Sequence, residues 1–202
     1  MRVGGFQPLS LSDYPGHVSA IFFTQGCNFR CPFCHNSALL ATETTGSFDG
    51  AAAIQMLDER KRLLDGVVIS GGEPTIHPDL PEFIRSIRSL GLLVKLDTNG
   101  SHPGMLRRLL REKLLDYVAM DIKAPWAKYP MLTGGFTGIE DIQCSMNLIV
   151  QSGIASEFRT TVVPSLLTPE DVEQIRCEMP VGAVHKTQDF IADYALDPAL
   201  RK

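Results

Sequence analysis

Short apolar runs rich in β-branched residues alternate along the chain with longer stretches whose apolar positions recur at helical spacing. The runs over 17–23, 66–70, 92–97, 117–123, 157–163 and 183–190 predict six strands, several of them apolar enough to be buried on both faces. Between them, 49–64, 79–90, 103–113, 139–153 and 169–178 predict helices. Leu80, Phe83, Ile84 and Ile87 form one face of the second, Gly91 marks its C-terminal stop, and Thr168 before Pro169 is an N-cap for the last. Such alternation implies a parallel sheet with right-handed crossovers, either doubly wound or curled toward a barrel. A closed eight-unit barrel takes about 250 residues, whereas six units here fill 202. The expected architecture is an α/β fold, an incomplete, laterally open (β/α)6 barrel with parallel strands, formed by a single domain over 1–202. Ligands bind such sheets where strands end and loops begin, so motifs at strand C-termini carry the functional weight. The polar stretch 41–47 predicts a loop.

The composition supports a packed core, with 44% hydrophobic and 21% charged residues. Nineteen basic against twenty-three acidic residues give a net charge of −4, so no global positive field exists to hold nucleic acid or an anionic membrane. No stretch approaches the roughly 18 uninterrupted apolar residues of a membrane span, and the expected location is cytoplasmic. Five cysteines is an odd number, and Cys27, Cys31 and Cys34 crowd into eight residues. That spacing fits a metal site in a reducing compartment better than a disulfide framework.

The first predicted strand runs into Gln25-Gly26-Cys27-Asn28-Phe29-Arg30-Cys31-Pro32-Phe33-Cys34-His35-Asn36. Thiolates spaced C-x3-C-x2-C on a loop containing Gly and Pro can converge on one metal centre. A [4Fe-4S] cluster ordinarily takes four cysteines. Three leave one iron without a protein ligand, and an open position on a metal is there to bind something reactive. The alternatives are a zinc site completed by His35, three buried cysteines without metal, or a pure electron-transfer cluster. Adjacent Cys34 and His35 are awkward ligands of a single zinc, and an electron-transfer cluster normally brings a fourth cysteine. Cys144 and Cys177, isolated on predicted helices, read as buried, inert thiols.

The triplet at the end of the first strand, followed by Ser70-Gly71-Gly72-Glu73-Pro74 at the end of the second, resembles the radical S-adenosylmethionine (SAM) superfamily, and the resemblance covers nearly the whole chain. Gly5-Phe6-Gln7-Pro8-Leu9-Ser10, Asp13-Tyr14-Pro15-Gly16, Cys34-His35-Asn36, Asp97-Thr98-Asn99-Gly100 and Met120-Asp121-Ile122-Lys123 look more narrowly like the glycyl-radical-enzyme activases, in particular those of anaerobic ribonucleotide reductase. The resemblance implies that Cys27, Cys31 and Cys34 hold a [4Fe-4S] cluster. SAM then binds at the open iron, and an electron cleaves it to methionine and a 5′-deoxyadenosyl radical. The cofactor carries the difficult chemistry, and the protein supplies placement and exclusion of side reactions.

The same resemblance gives roles to the other motifs. Gly71 and Gly72 let backbone approach a ligand, Glu73 accepts from the methionine ammonium, and Phe33 shields cluster and adenine from water. Thr98 and Asn99 lie beside the cofactor. Asp97 and Asp121, at neighbouring strand ends, form a monovalent-cation site next to the SAM carboxylate; the plainer readings are a helix N-cap for Asp97 and a solvated Asp121–Lys123 pair. Lys123 and Arg159 are cations on otherwise apolar strands, which is costly unless they meet an anion, and the SAM carboxylate is a candidate. His185 or Gln188 on the last strand reaches the ribose hydroxyls. The implied partners are a glycyl radical enzyme as protein substrate, anaerobic ribonucleotide reductase first, and a low-potential electron donor such as flavodoxin or ferredoxin. Two rivals share part of the pattern: a small-molecule radical SAM enzyme similar to 7-carboxy-7-deazaguanine synthase, and a non-catalytic iron-sulfur carrier.

Overall fold

The computed structural model describes residues 1–41 and 48–201. The loop expected at 41–47 lies, beyond Ala41, outside them. Eight strands and six α-helices follow in chain order: β1 (Arg2–Ser10), β2 (Ser19–Thr24), β3 (Phe48–Asp49), α1 (Gly50–Asp58), β4 (Gly66–Gly71), α2 (Leu80–Ser89), β5 (Leu93–Thr98), α3 (Pro103–Arg111), β6 (Tyr117–Asp121), α4 (Tyr129–Thr133), α5 (Ile139–Ser152), β7 (Ala155–Val162), α6 (Pro169–Glu178) and β8 (His185–Asp189). One sheet holds all the strands in the order β3-β1-β2-β4-β5-β6-β7-β8. From β2 to β8 every pairing is parallel.

The six predicted strands are these six parallel ones, and each predicted helix is present. The first helix is shorter than expected: it stops at Asp58, and a 3₁₀ turn covers Lys61–Leu63. Thr168 caps α6 through a capping box, its hydroxyl accepting from Asp171 N–H while the Asp171 carboxylate accepts from Thr168 N–H. Gly91, at φ +82°, ends α2 as the pattern predicts.

The added strands are β1 and the two-residue β3; β1 pairs antiparallel with both β2 and β3, and the two extend the six-unit sheet at one edge. The register of β1 on β2 slips between Val3 and Gly5 and again between Gln7 and Ser10. These irregularities, with Gly4, Gly5 and Pro8, erase the period-two alternation that marks a strand. The sheet remains open, ending at β3 on one side and β8 on the other.

Alternation along the parallel strands sorts two faces. Phe22, Ile69, Leu96, Met120 and Phe158 point outward and pack with Leu57, Ile84, Ile87, Leu106, Ile149 and Ile175 of the helices into the main core. On the concave face Tyr14, Ile21 and Val68 form a small plug. Beside that plug and beyond it the inner positions turn polar: Lys95 lies in register between Val68 and Tyr117, and nearer the strand ends Asp121 lies beside Arg159, which itself lies beside Lys186. The concave face is therefore apolar at the bottom and charged toward the strand ends, where a ligand meets it. No helix among the described residues is long and apolar enough to cross a membrane.

Candidate functional site

A cavity of 370 Å³ opens at the C-terminal ends of the parallel strands, a size ordinary for small-molecule sites. The loop leaving β2 brings Cys27, Cys31 and Cys34 into its wall. Phe29 pins this loop: its ring is 2% exposed and packs 4.7 Å from Phe136 and 6.4 Å from Tyr129, centroid to centroid. Backbone bonds hold it on three other sides, from Gly26 N–H to Leu39 O (2.7 Å), Arg30 N–H to Thr133 O (2.9 Å) and Asp197 N–H to Pro32 O (2.8 Å). The Phe29 N–H also donates to Cys27 Sγ at 3.4 Å. Burial pushes the Cys27 thiol up to about 11 and the Cys31 thiol up to about 12, and raises Cys34 as well. Lys123 acts on all three in the opposite sense.

Three soft sulfur donors facing one cavity, with no fourth cysteine on its wall, are the donor set that a cluster with one open iron requires. His35 stacks on Phe190 at 5.7 Å. Among the described residues no three His, Cys, Asp or Glu side chains are gathered as ligands of a single ion. The two remaining cysteines depart from expectation. Cys177 is exposed on α6, and Cys144 is partly buried with its sulfur 3.5 Å from the Arg107 guanidinium. Both sit on helix faces that meet solvent.

The turn after β4 is clamped to the cysteine loop. Gly72 N–H donates to Thr24 O (2.9 Å) and Glu73 N–H to Gly26 O (2.8 Å). A Cβ on Gly72 would overlap the Gly26 carbonyl, and one on Gly71, at φ +111°, would overlap the backbone of Phe23 and Thr24. The close approach that these glycines permit is thus to the neighbouring strand exit, though both also line the cavity.

Glu73 lines the cavity and is also tied into the surrounding loops. It is 1% exposed, and its carboxylate accepts from Thr75 N–H (3.0 Å), the Thr75 and Thr98 hydroxyls (2.5 and 2.6 Å) and Asn99 N–H (2.6 Å). Burial raises its pKa and these donors oppose the rise. Asn99 in turn donates to Asn28 Oδ1 (2.9 Å) and accepts from Ser101, while Asn28 donates to Ser101 (2.8 Å). Glu73, Thr98 and Asn99 therefore spend their polar atoms tying the exits of β2, β4 and β5 together. Three of the four donors fall on Oε1 and one on Oε2, so Oε2 is the oxygen with room for a further donor such as an ammonium.

Toward the other wall, Asp97 and Asp121 meet three cations. Lys95 Nζ lies 2.7 Å from Asp97, Arg159 spans Asp97 (3.4 Å) and Asp121 (2.9 Å), and Lys123 Nζ lies 3.0 Å from Asp121. Burial pushes the Asp121 carboxyl up, but Arg159 and Lys123 outweigh it and hold it at about 2. Asp97 is not a helix cap, since α3 begins after His102. Lys123 and Arg159 line the cavity beside the acids Asp13, Glu73, Asp97 and Asp121, so an anionic group would meet positive charge locally, at those two side chains. With these donors on their oxygens, Asp97 and Asp121 are a poor seat for an added cation.

Phe33 is 5% exposed and lines the cavity, and Gln188 lies exposed at its rim. His185 turns away: its Nε2 lies 3.0 Å from Thr160 Oγ1, on the sheet's outer face, because it alternates with Lys186 and Gln188 on the inner one. Asn28, Ser101 and Lys95 escaped the sequence reading. Lys95 carried a usable signal, a charge inside an apolar strand two residues before Asp97 and so on the same face.

Comparison with known proteins follows the same lines. The model of the radical SAM superfamily matches residues 21–176. MJ1227 of Methanocaldococcus jannaschii, named as a glycyl-radical enzyme activating enzyme, is 34% identical over 206 residues, covering 99% of this chain and 84% of that protein. The pyruvate formate-lyase-activating enzyme of Clostridium pasteurianum is 28% identical over 178 residues, 82% of this chain and 70% of the relative. Among solved structures, Streptococcus suis SuiB bound to S-adenosylmethionine superposes with a TM-score of 0.66 at 17% identity, covering 87% of this chain and 41% of its own. Native anSMEcpe with bound AdoMet gives 0.64 at 16% identity, covering 88% and 54%. This chain thus spans about half the length of those two solved proteins, and the likeness to them is one of fold. By its matched residues and its open parallel sheet, the chain belongs to the radical SAM superfamily.

Proposed function

We propose that the protein is a glycyl-radical-enzyme activase that uses a [4Fe-4S] cluster and SAM to abstract hydrogen from a glycine α-carbon of a partner enzyme, anaerobic ribonucleotide reductase being the first candidate. The observation that carries the reading is the meeting of three cavity-lining thiols with the Lys123 and Arg159 side chains at the same strand ends. Cys27, Cys31 and Cys34 would hold the cluster, and the Lys123 and Arg159 side of the cavity would face the SAM carboxylate. Phe33, buried beside Cys34, keeps water from the reacting centre. When bound, the cluster and SAM together supply methionine and the 5′-deoxyadenosyl radical that takes the hydrogen. The chain's own part is placement: the clamped loops fix the thiols, and the open side between β8 and β3 gives a partner's loop an approach to the cavity. A low-potential donor, flavodoxin or ferredoxin, would supply the electron. The relatives named as activating enzymes favour this over the small-molecule reading.

The test is to incubate the anaerobically reconstituted, reduced protein with SAM and anaerobic ribonucleotide reductase and record the electron paramagnetic resonance spectrum. A glycyl radical signal on the reductase that needs SAM is expected. Cleavage of SAM without any such signal, on the reductase or on pyruvate formate-lyase, would move the assignment to a small-molecule substrate.

A further inference from the structure

Lys95 is the only lysine or arginine among the described residues that is buried, at 1% exposure in the middle of β5. A cation stripped of water is costly unless an anion meets it. Its ammonium meets Asp97 Oδ1 at 2.7 Å and lies 5.8 Å from the centre of the Tyr117 ring. The other oxygen of Asp97 faces Arg159 at 3.4 Å, Asp121 Oδ1 accepts from Arg159 Nε at 2.9 Å, and Asp121 Oδ2 accepts from Lys123 at 3.0 Å. All four carboxylate oxygens of the two acids therefore have a cationic donor from the chain itself. A free Na⁺ or K⁺ would have to compete with those donors for the same oxygens.

We propose that the Lys95 ammonium is a tethered monovalent cation: with Arg159 it fills the place beside Asp97 and Asp121 that the family resemblance gives to Na⁺ or K⁺, and the protein takes up no free cation there. A lysine ammonium suits this exchange because it is a compact point charge with several donors. The sheet supplies the geometry. Val68 and Tyr117 flank Lys95 in register on either side, and its side chain runs up the sheet face to Asp97, two residues on and on the same face. Lys95 is in this sense a positioning residue, since it holds Asp97, and through it the Arg159 guanidinium, at the cavity wall. The inference rests on the pairing of the acids and not on the proposed reaction.

The experiment is thermal unfolding of the reconstituted protein, without SAM, in chloride salts of Na⁺, K⁺, NH₄⁺ and tetramethylammonium at one ionic strength of about 0.15 M, where surface screening is equal. The wild-type Tm is expected to agree across the four salts within about 1 °C. Lys95→Ala is expected to lose roughly 10 °C in tetramethylammonium, where Asp97 is left without its nearest partner, and to regain part of that loss in K⁺ or NH₄⁺. Lys95→Gln, nearly isosteric and neutral, gives the same comparison if the Ala variant does not fold. A wild-type Tm that rises in Na⁺ or K⁺ over tetramethylammonium overturns the proposal. So does a folded variant that responds alike to all four salts. Because no SAM is present, neither result depends on which reaction the protein performs.

Discussion

The backbone N–H of Asn99 lies 2.6 Å from Oε2 of Glu73, across the gap between the exits of two adjacent parallel strands. With Glu73 N–H bonded to Gly26 O and the Asn99 amide bonded to Asn28, the contact closes a circuit through the cysteine loop. The acid of the Gly-Gly-Glu-Pro turn works here as a strut. Its carboxylate fixes where the loops bearing Cys27 and Asn99 stand relative to each other.

Glu73→Ala leaves the Asn99 N–H and the Thr75 and Thr98 hydroxyls without their acceptor inside the protein. The expected loss is about 2–4 kcal/mol of stability, measured by chemical denaturation. Glu73→Gln retains one acceptor oxygen but turns an NH₂ toward donors, so it recovers only part of the loss. Stability equal to wild type in both variants would contradict the strut.

Asn28→Ala breaks the two bonds that join the cysteine loop to Asn99 and Ser101. A cost of roughly 1–3 kcal/mol is expected. Iron content per chain after reconstitution should fall too, because the loop between Cys27 and Cys31 loses a support. Unchanged iron loading and Tm would show that Phe29 and the backbone bonds suffice to hold it.

Cys31→Ala removes the most deeply buried of the three thiols. Cluster assembly, read by visible absorption and iron analysis, and SAM cleavage are both expected to disappear. Cys177→Ala, altering an exposed position on α6, should change neither. In the metal-free protein at neutral pH, iodoacetamide should label Cys177 first and Cys31 last, which mass spectrometry of timed samples reads directly.

The acid limb of the stability curve has a defined sign. Asp121 is held at about 2, below its usual 3.8, by Arg159 and Lys123 against the opposing push of burial. A carboxylate with a lowered folded-state pKa contributes stability in full above about 3.8, and that contribution is lost as pH falls toward 2. Denaturant unfolding between pH 5 and 2 should therefore show a steeper fall in wild type than in Asp121→Asn, the two curves converging at the acid end. Parallel curves would mean that the Asp121 ion pairs are not made in the folded state.

The six parallel strands and their helices were legible in the sequence because buried strands read as continuous apolar runs and amphipathic helices repeat their own period. The strand Arg2–Ser10 was not, since bulges and glycines hide its alternation. At the site, the cysteine triplet and the Gly71-Gly72 turn announced themselves by spacing, and both line the cavity. What spacing does not reveal is how a polar group is partnered. Nothing in the sequence says that the Glu73 carboxylate accepts from Thr98 and Asn99, or that Asp97 and Asp121 meet three internal cations. Those pairings depend on contacts between strands far apart in the chain. The orientation of His185 could have been read from strand alternation once Gln188 was placed inward.

The most direct measurement is the yield of 5′-deoxyadenosine from the anaerobically reconstituted and reduced protein supplied with SAM. The account predicts that 5′-deoxyadenosine forms, that its formation requires reduction, and that Cys31→Ala forms none. A protein that assembles a [4Fe-4S] cluster, accepts an electron and leaves SAM intact would contradict it.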